Sequence, residues 1–190
     1  MKKITLLFSF IAFISCKAQS IISIEEASKY YMSAEGLPES VQYVKDINKR
    51  LDQFTGTWKG SYEGKSYEFR FVKREYFGSY SVKWDEIIGR VSIKKDNQII
   101  FNTINIADDQ KTFLRGSNLQ NKVYVMYFAA NADCNDSGDV FIEVSKSNTN
   151  QMTLYFMRDN DILVNIEQKC PNYSTYVPLL PQDKMILVKQ

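Results

Sequence analysis

Hydrophobic and polar residues alternate along most of the chain from residue 57 onward. Alternation with a period of two is typical of β-strands that bury one face and expose the other. The first two alternating segments are separated by a Glu63-Gly64 turn and predict a β-hairpin. Its buried face is formed by alternate residues: Trp58, Gly60, Tyr62, Tyr67, Phe69 and Phe71.

Further strand-like segments follow, at residues 79–84, 90–94, 98–105, 112–116, 122–128, 139–145, 152–157, 162–166 and 185–189. They recur roughly every 10 to 14 residues, with turn-rich sequence between them. No helices of the kind that connect parallel strands are predicted there. The pattern therefore predicts an all-β fold, a single antiparallel up-and-down β-barrel of about 8 to 10 strands, with a β-sandwich as the alternative.

Apolar residues follow a different period just before the first strand. Within residues 39–54 they recur at steps of three, three and four: Val41, Val44, Ile47 and Leu51. This spacing predicts a short N-terminal helix that leads into the barrel and ends near Gly56. Residues 20–38 are polar and irregular, which predicts a tether.

The N-terminus has the three parts of an export signal. Lys2 and Lys3 precede an apolar run at residues 4–14, and Ser15 stands before Cys16. The apolar run is about half as long as the roughly 20 residues that a membrane-spanning helix needs. It therefore predicts a cleaved signal peptide.

Residues 13–16 resemble the bacterial lipobox, in which a cysteine after a small residue receives a diacylglycerol and becomes the mature N-terminus. The resemblance implies lipidation of Cys16 and an envelope anchor, and Lys17 resembles the signal for outer-membrane sorting. An ordinary secretory signal cleaved near Ala18 is the alternative. The predicted parts of the chain are a signal peptide at 1–15, the lipidated cysteine and tether at 16–38, and the barrel domain with its leading helix at 39–190.

Cys134 and Cys170 remain once Cys16 is assigned to the anchor. An even pair of cysteines in an exported chain predicts a disulfide, which would close a loop of about 35 residues. A metal site is the alternative. However, the chain has no histidine, and two thiolates are fewer than the four ligands of a structural zinc site. We therefore expect a disulfide and no bound metal.

Charge and composition argue against several functions. The precursor has a formal net charge of +2, and it shows no strongly basic stripe suited to nucleic acid. Without histidine the chain cannot form Ser-His or Cys-His dyads. Paired acidic residues fall at predicted turns, where such side chains usually bond to nearby backbone: Asp85-Glu86, Asp108-Asp109 and Asp159 with Asp161. We expect no enzyme activity, no cofactor and no nucleic-acid partner.

Residues 46–60 resemble the opening of a lipocalin barrel, where a short helix leads into the first strand through Gly-x-Trp, here Gly56 and Trp58. The resemblance implies a lipocalin-like barrel whose Trp side chain plugs one end beneath an arginine of the last strand. This chain departs from that pattern, because its last strand offers Lys184 and Lys189 and no arginine. We expect Trp58 to be buried at the closed end.

Short motifs along the whole chain also resemble those of one family: residues 15–19, 54–60, 67–69, 151–152, 170–171 and 185–190, together with Cys134. They resemble an uncharacterised Bacteroidota lipoprotein family that carries only a domain-of-unknown-function label. The resemblance implies an envelope location and the disulfide. It implies no activity and no catalytic residues.

Aromatic residues are abundant, with 12 Tyr, 12 Phe and 2 Trp, and many occupy alternating strand positions. They either fill the barrel or line a cup for a ligand, since a barrel of about eight strands can do either. The ligand-binding candidates lie on the early strands: Trp58, Tyr67, Phe69, Phe71, Tyr80 and Trp84. We expect an envelope lipoprotein that binds a small apolar or amphipathic molecule. The alternative is a structural or protein-interaction lipoprotein with a filled barrel and an envelope protein partner.

Overall fold

Eleven β-strands and two short α-helices form the part of the chain that the computed structural model describes, which is residues 20–31, 33–78, 81–107, 114–159 and 165–190. The elements are β1 (Ser20–Ser23), α1 (Ile24–Tyr31), β2 (Val41–Lys45), β3 (Gly56–Tyr62), β4 (Lys65–Phe77), β5 (Lys83–Lys95), β6 (Gln98–Asn102), β7 (Leu114–Gln120), β8 (Val123–Asn131), β9 (Asp136–Val144), β10 (Gln151–Arg158), α2 (Ile166–Lys169) and β11 (Met185–Lys189). Short 3-10 helices at Asp52–Phe54, Ala132–Cys134 and Tyr173–Thr175 complete the described elements.

Eight of the strands close into an antiparallel barrel in the order β3, β4, β5, β7, β8, β9, β10, β11. The circle closes where Lys189 of β11 pairs with Trp58 of β3. It also requires β7 to pair with β5, through Leu114 and Gly89. Each barrel strand thus neighbours the next barrel strand along the chain, with β6 left outside the circle. The prediction of an up-and-down, lipocalin-like barrel is confirmed.

Strand β5 has a different partner along each part of one edge. Its first residues pair in parallel with β2, its middle pairs with β7 at Ile88 and Gly89, and its end pairs with β6. The opposite edge pairs with β4 over nearly its whole length. Strands β5 and β7 pair at two positions, Ile88 with Arg115 and Gly89 with Leu114, and they diverge on the N-terminal side of Ile88.

Aromatic side chains fill the barrel interior. Trp58, Phe69 and Phe71 are each at most 1% exposed. Trp58 lies opposite Phe69 across the β3–β4 ladder, and the Phe69 and Phe71 rings stack with centroids 5.7 Å apart. Tyr67 continues the stack, 6.2 Å from Phe69. Burying such rings supplies much of the driving force for folding, at about 25 cal/mol per Å² of apolar surface removed from water.

Trp58 is buried at one end of the barrel, as predicted. The 3-10 helix before β3 and the residue that precedes it cover this end with Phe54 and Leu51, both fully buried. The Trp58 indole Nε1–H donates to the Phe54 carbonyl oxygen at 2.8 Å. The Lys189 ammonium lies 5.2 Å from the indole centroid. Lys189 therefore occupies the place over the tryptophan that an arginine takes in the lipocalin pattern.

The segment before β11 covers the opposite end of the barrel. The Tyr67 hydroxyl donates to the Leu179 carbonyl oxygen at 3.1 Å, and the Lys65 ammonium donates to that of Pro178 at 3.0 Å. A disulfide joins Cys134 and Cys170 and fixes the start of this segment to the 3-10 helix before β9. The predicted pairing of these cysteines is confirmed.

The helix predicted at residues 39–54 is wrong. Val41 and Val44 are buried on β2, whereas Ile47 is 55% exposed. The Asp46 carboxylate accepts hydrogen bonds from the backbone N–H groups of Arg50 and Leu51, at 2.7 and 3.0 Å. An acidic side chain that takes up nearby N–H groups in this way favours a turn over a helix.

The short N-terminal helix lies earlier, within the segment predicted as a tether. Residues 20–31 form β1 and α1, and β1 pairs in parallel with β2. The side chains of Ile22, Ile24 and Ala27 are buried there. The tether prediction is therefore wrong for these residues, because their apolar side chains pack into the main core.

Other predictions fall partly or wholly outside the described residues. Cys16 and the signal peptide lie outside them, as does Tyr80. The strand predicted at 162–166 lies outside them up to residue 164, and Ile166 begins α2 instead. The segments 79–84 and 90–94, predicted as two strands, belong to one strand, β5, from Lys83 onward.

Candidate functional site

A pocket of about 330 Å³ opens where β5 and β7 diverge. Pockets that hold small molecules in proteins have volumes of about 300 to 1,000 Å³, so this one has room for a small ligand. The walls come from the start of β5, the end of β4, the middle of β7 and the helix α1. The side chains and glycines that line it are Ile24, Phe77, Gly78, Trp84, Asp85, Glu86, Arg115, Gly116, Asn118, Leu119, Tyr124 and Tyr127.

One wall of the pocket is apolar. Trp84 and Phe77 contribute aromatic surface from β5 and β4, and Ile24 and Leu119 contribute aliphatic surface from α1 and β7. The Ser28 hydroxyl holds α1 against β7 through contacts with the carbonyl oxygens of Ile24 at 2.8 Å and Leu119 at 2.5 Å. The helix thus shapes the pocket from the side that the barrel strands leave open.

The pocket also carries an ion pair between neighbouring strands. The Arg115 guanidinium donates to the Glu86 carboxylate at 2.7 Å and lies 5.6 Å from the Phe77 ring centroid, next to the apolar wall. Burial raises the pKa of Glu86, and the nearby Arg115 partly opposes that shift. The Arg115 side chain is 42% exposed, so it is open to the pocket mouth and to solvent.

Asp85 holds the elements around the pocket together. Its carboxylate accepts hydrogen bonds from the Tyr43 hydroxyl, from the Tyr76 backbone N–H at 3.0 Å and from the Asp46 backbone N–H at 2.9 Å. These bonds connect β5 to β2, to β4 and to the turn after β2. Burial and the Asp85 contact raise the pKa of Tyr43. Asp85 and Glu86 lie inside β5, so the turn predicted for them is wrong.

Tyr124 closes the inner end of the pocket. Its hydroxyl oxygen accepts a hydrogen bond from the Ile87 backbone N–H at 3.1 Å, and its ring stacks on Phe54 at 5.6 Å. Burial raises the pKa of this hydroxyl. A Cβ atom at Gly116 would lie 1.8 Å from the Tyr124 hydroxyl oxygen. The tyrosine can therefore occupy this position only beside a glycine.

Asn118 presents an unused hydrogen-bond donor at the pocket. The residue is 6% exposed, and its Nδ2 atom has no hydrogen-bond partner among the described residues. Buried polar groups nearly always have a partner, and leaving one unpaired costs about 1 to 3 kcal/mol. Asn118 lies just after an irregularity in the β7–β8 register, between Gly116 and Asn118.

The predicted ligand residues do not form one group. Trp58, Phe69 and Phe71 lie in the packed barrel interior. Tyr67 is bonded to the segment that covers the far end of the barrel. Of the predicted residues that the structure describes, Trp84 alone lines the pocket between β5 and β7.

Sequence reasoning missed the polar residues of the pocket, Glu86, Arg115 and Asn118. One signal could have found Glu86. Alternate residues of a strand share a face, so Glu86 lies on the same face as Val82 and Trp84. Arg115 and Asn118 are brought there by the pairing of β7 with β5, which no local pattern reveals.

No group of three or more Cys, Asp and Glu side chains within the described residues is arranged to hold a metal ion. The described helices are also too short or too polar to cross a bilayer. The pocket itself offers an apolar wall, an ion pair and an amide donor that is unpaired among the described residues.

A family model matches the chain over residues 1–190. The chain belongs to DUF6705, a family of unknown function. This match confirms the predicted membership in an uncharacterised family. No curated protein and no solved structure matches this DUF6705 chain. The pocket itself is thus the starting point for its function.

Proposed function

We propose that this chain is an envelope lipoprotein, anchored through Cys16, whose barrel binds a small amphipathic molecule in the pocket between β5 and β7. The domain acts by binding, and not by catalysis. The observation that carries this proposal is the pocket of about 330 Å³, in which Trp84 and the Glu86–Arg115 pair face one space. An apolar wall with a few polar groups is typical of small-molecule sites.

The position of the pocket supports binding at the side of the barrel and not in its centre. The interior at Trp58, Phe69 and Phe71 is occupied by their own stacked side chains. The site between β5 and β7 instead lies where these two strands diverge, and α1 covers it there. A ligand could enter there without disturbing the ladder that closes the barrel.

The anchor part of the proposal rests on the lipobox-like residues 13–16 and the preceding signal sequence. The paired cysteines Cys134 and Cys170 support export, because disulfides form and persist in oxidising compartments. Lys17 after the lipidated cysteine supports an outer-membrane location.

Native mass spectrometry tests the binding function. The mature chain from residue 16, with Cys16→Ser, would be exported through an ordinary secretory signal so that the disulfide can form. This chain keeps every residue that the structure describes. We expect a bound small molecule to copurify and to be lost in a Trp84→Ala variant.

Ile186→Ala is the matched control, because Ile186 is 52% exposed on β11 and does not line the pocket. The bound mass should persist in that variant. A ligand-free parent chain, or a ligand retained equally by Trp84→Ala, would refute the proposed site.

A structural or protein-binding role is the second candidate. It is favoured by the half-buried rings of Phe141 and Tyr155, which lie opposite each other on β9 and β10 and stack with centroids 4.7 Å apart. A photo-crosslinking residue placed at Tyr155 in cells would trap an envelope protein if this role is correct. The same residue at Asn148, in the exposed loop after β9, is the control.

A further inference from the structure

We propose that the pocket between β5 and β7 recognises a neutral carbonyl head group, an amide or ester oxygen at the end of a short apolar chain. The inference rests on the proposed binding function and narrows it to a chemical class. It is carried by three polar groups of the described pocket: the Asn118 amide, the Glu86–Arg115 pair and the Asp85 carboxylate.

The Asn118 amide sets the first requirement. Its Nδ2 is buried, lacks a partner within the described residues and belongs to a side chain that lines the pocket. An N–H donor needs an acceptor atom on the ligand. An alkylammonium head offers only donors, so it would leave the Asn118 Nδ2 without an acceptor.

The two carboxylates set the second requirement. Asp85 and Glu86 are adjacent on β5, and Arg115 is paired directly with Glu86 at 2.7 Å. With both acids ionised, the three charged residues that line the pocket sum to one negative charge. An anionic head group would therefore be repelled, although Arg115 carries donors. Selectivity of this kind comes from penalties on the wrong ligands as well as from contacts to the right one.

A carbonyl oxygen meets both requirements. It accepts a hydrogen bond from Asn118 Nδ2, and it brings no charge to the acidic side of the pocket. The chain attached to it would lie on the apolar wall formed by Trp84, Phe77 and Leu119. The ligand class that follows is a small neutral amphipath with a carbonyl at its polar end.

Tryptophan fluorescence can test this with three probes that share an eight-carbon chain: octanamide, octanoate and octylamine. The full chain contains 2 Trp residues, of which Trp58 is fully buried and Trp84 lines the pocket. Binding should therefore change the emission of Trp84. A Trp84→Phe chain, which keeps Trp58, should show no ligand-dependent change.

We expect octanamide to bind the mature Cys16→Ser chain at least tenfold more tightly than octanoate or octylamine at pH 7. An Asn118→Leu variant should lose about tenfold in octanamide affinity, the scale of one buried hydrogen bond. Asn150→Leu, an exposed asparagine between β9 and β10, is the matched control and should keep the parent affinity.

The outcomes separate the two levels of the proposal. If none of the three probes changes the emission of Trp84, the binding site itself is refuted. If the probes bind but octanoate or octylamine binds as tightly as octanamide, the pocket stands and the carbonyl preference is overturned. The probe comparison on the parent chain decides this even if Asn118→Leu does not fold. A folded Asn118→Leu chain that keeps the octanamide preference would also overturn it.

Discussion

Replacing Gly116 with alanine tests how closely β7 approaches Tyr124. The added Cβ would lie 1.8 Å from the Tyr124 hydroxyl oxygen and 2.6 Å from its Cζ atom. Real contacts of this kind are longer than 3.0 Å, so the tyrosine must move by more than 1 Å. That movement would break the hydrogen bond from the Ile87 N–H and disturb the stacking on Phe54.

The size of the effect follows from these two losses. Overpacking a core costs about 1 to 3 kcal/mol, and orphaning a buried N–H costs about 1 to 3 kcal/mol more. Because the neighbours relax in part, we expect Gly116→Ala to lower the free energy of unfolding by about 2 to 4 kcal/mol. With a urea m-value of about 2 kcal/mol/M, the midpoint would fall by about 1 to 2 M.

Urea titration of the mature Cys16→Ser chain measures this change, and a double-mutant cycle assigns it. Tyr124→Phe removes the hydroxyl oxygen that the new Cβ would meet first. The double variant should therefore lose at least about 1 kcal/mol less than the sum of the two single losses. If Gly116→Ala is as stable as the parent, or if the two losses simply add, Tyr124 does not lie against Gly116.

Four further predictions follow from other parts of the chain. Trp58→Ala should lower the free energy of unfolding, measured by urea titration, by about 3 to 5 kcal/mol, because the ring is fully buried. A variant as stable as the parent would contradict the burial of Trp58 at the end of the barrel. Replacing both Cys134 and Cys170 with alanine should lower the free energy of unfolding by about 4 kcal/mol, because their disulfide closes a loop between residues 36 positions apart. An unchanged urea midpoint would contradict a disulfide that constrains the unfolded chain. Burial raises the pKa of Asp136, so its contribution to stability is present at acid pH and is lost as the pH rises through the folded pKa. The urea midpoint of Asp136→Asn relative to the parent should therefore rise between pH 4 and pH 7, and a constant difference would refute this assignment. Cys16→Ala should abolish fatty-acid labelling and release the protein from the membrane fraction, and a variant that still labels would show that the anchor lies elsewhere.

The barrel could be predicted because the sequence pattern that indicates each of its strands lies within that strand. Alternation in each segment determines which side chains point inward, and the Glu63-Gly64 turn connects β3 to β4 as expected. The helix at residues 39–54 failed for a local reason as well. A spacing of three between Val41 and Val44 suits a helix. On the short strand β2, however, the register with β1 shifts by one residue between Val41 and Tyr43, and both valines are buried in one core cluster.

The pocket could not be predicted because no single segment contains it. Trp84 was found as an aromatic residue on an alternating strand. Its partners Arg115 and Asn118 lie on β7, which reaches β5 through a long-range pairing at Ile88 and Gly89. The opening depends on where that pairing stops, which is a property of the closed sheet and not of either strand's sequence.

The early start of β1 has a consequence for how the domain would meet a bilayer. Cys16 precedes Ser20 by four residues, a span of at most about 14 Å in a fully extended chain. Because β1, β2 and β5 run parallel, Ser20 lies at the barrel end where β5 begins, the end that carries Trp84. A lipid on Cys16 would thus hold the pocket within the interfacial layer where amphiphiles accumulate. The protein would then meet its ligand by diffusion within the plane of the membrane. A long Gly-Ser spacer inserted after Ala18 should slow ligand uptake from vesicles without changing the affinity of the domain for the ligand in solution.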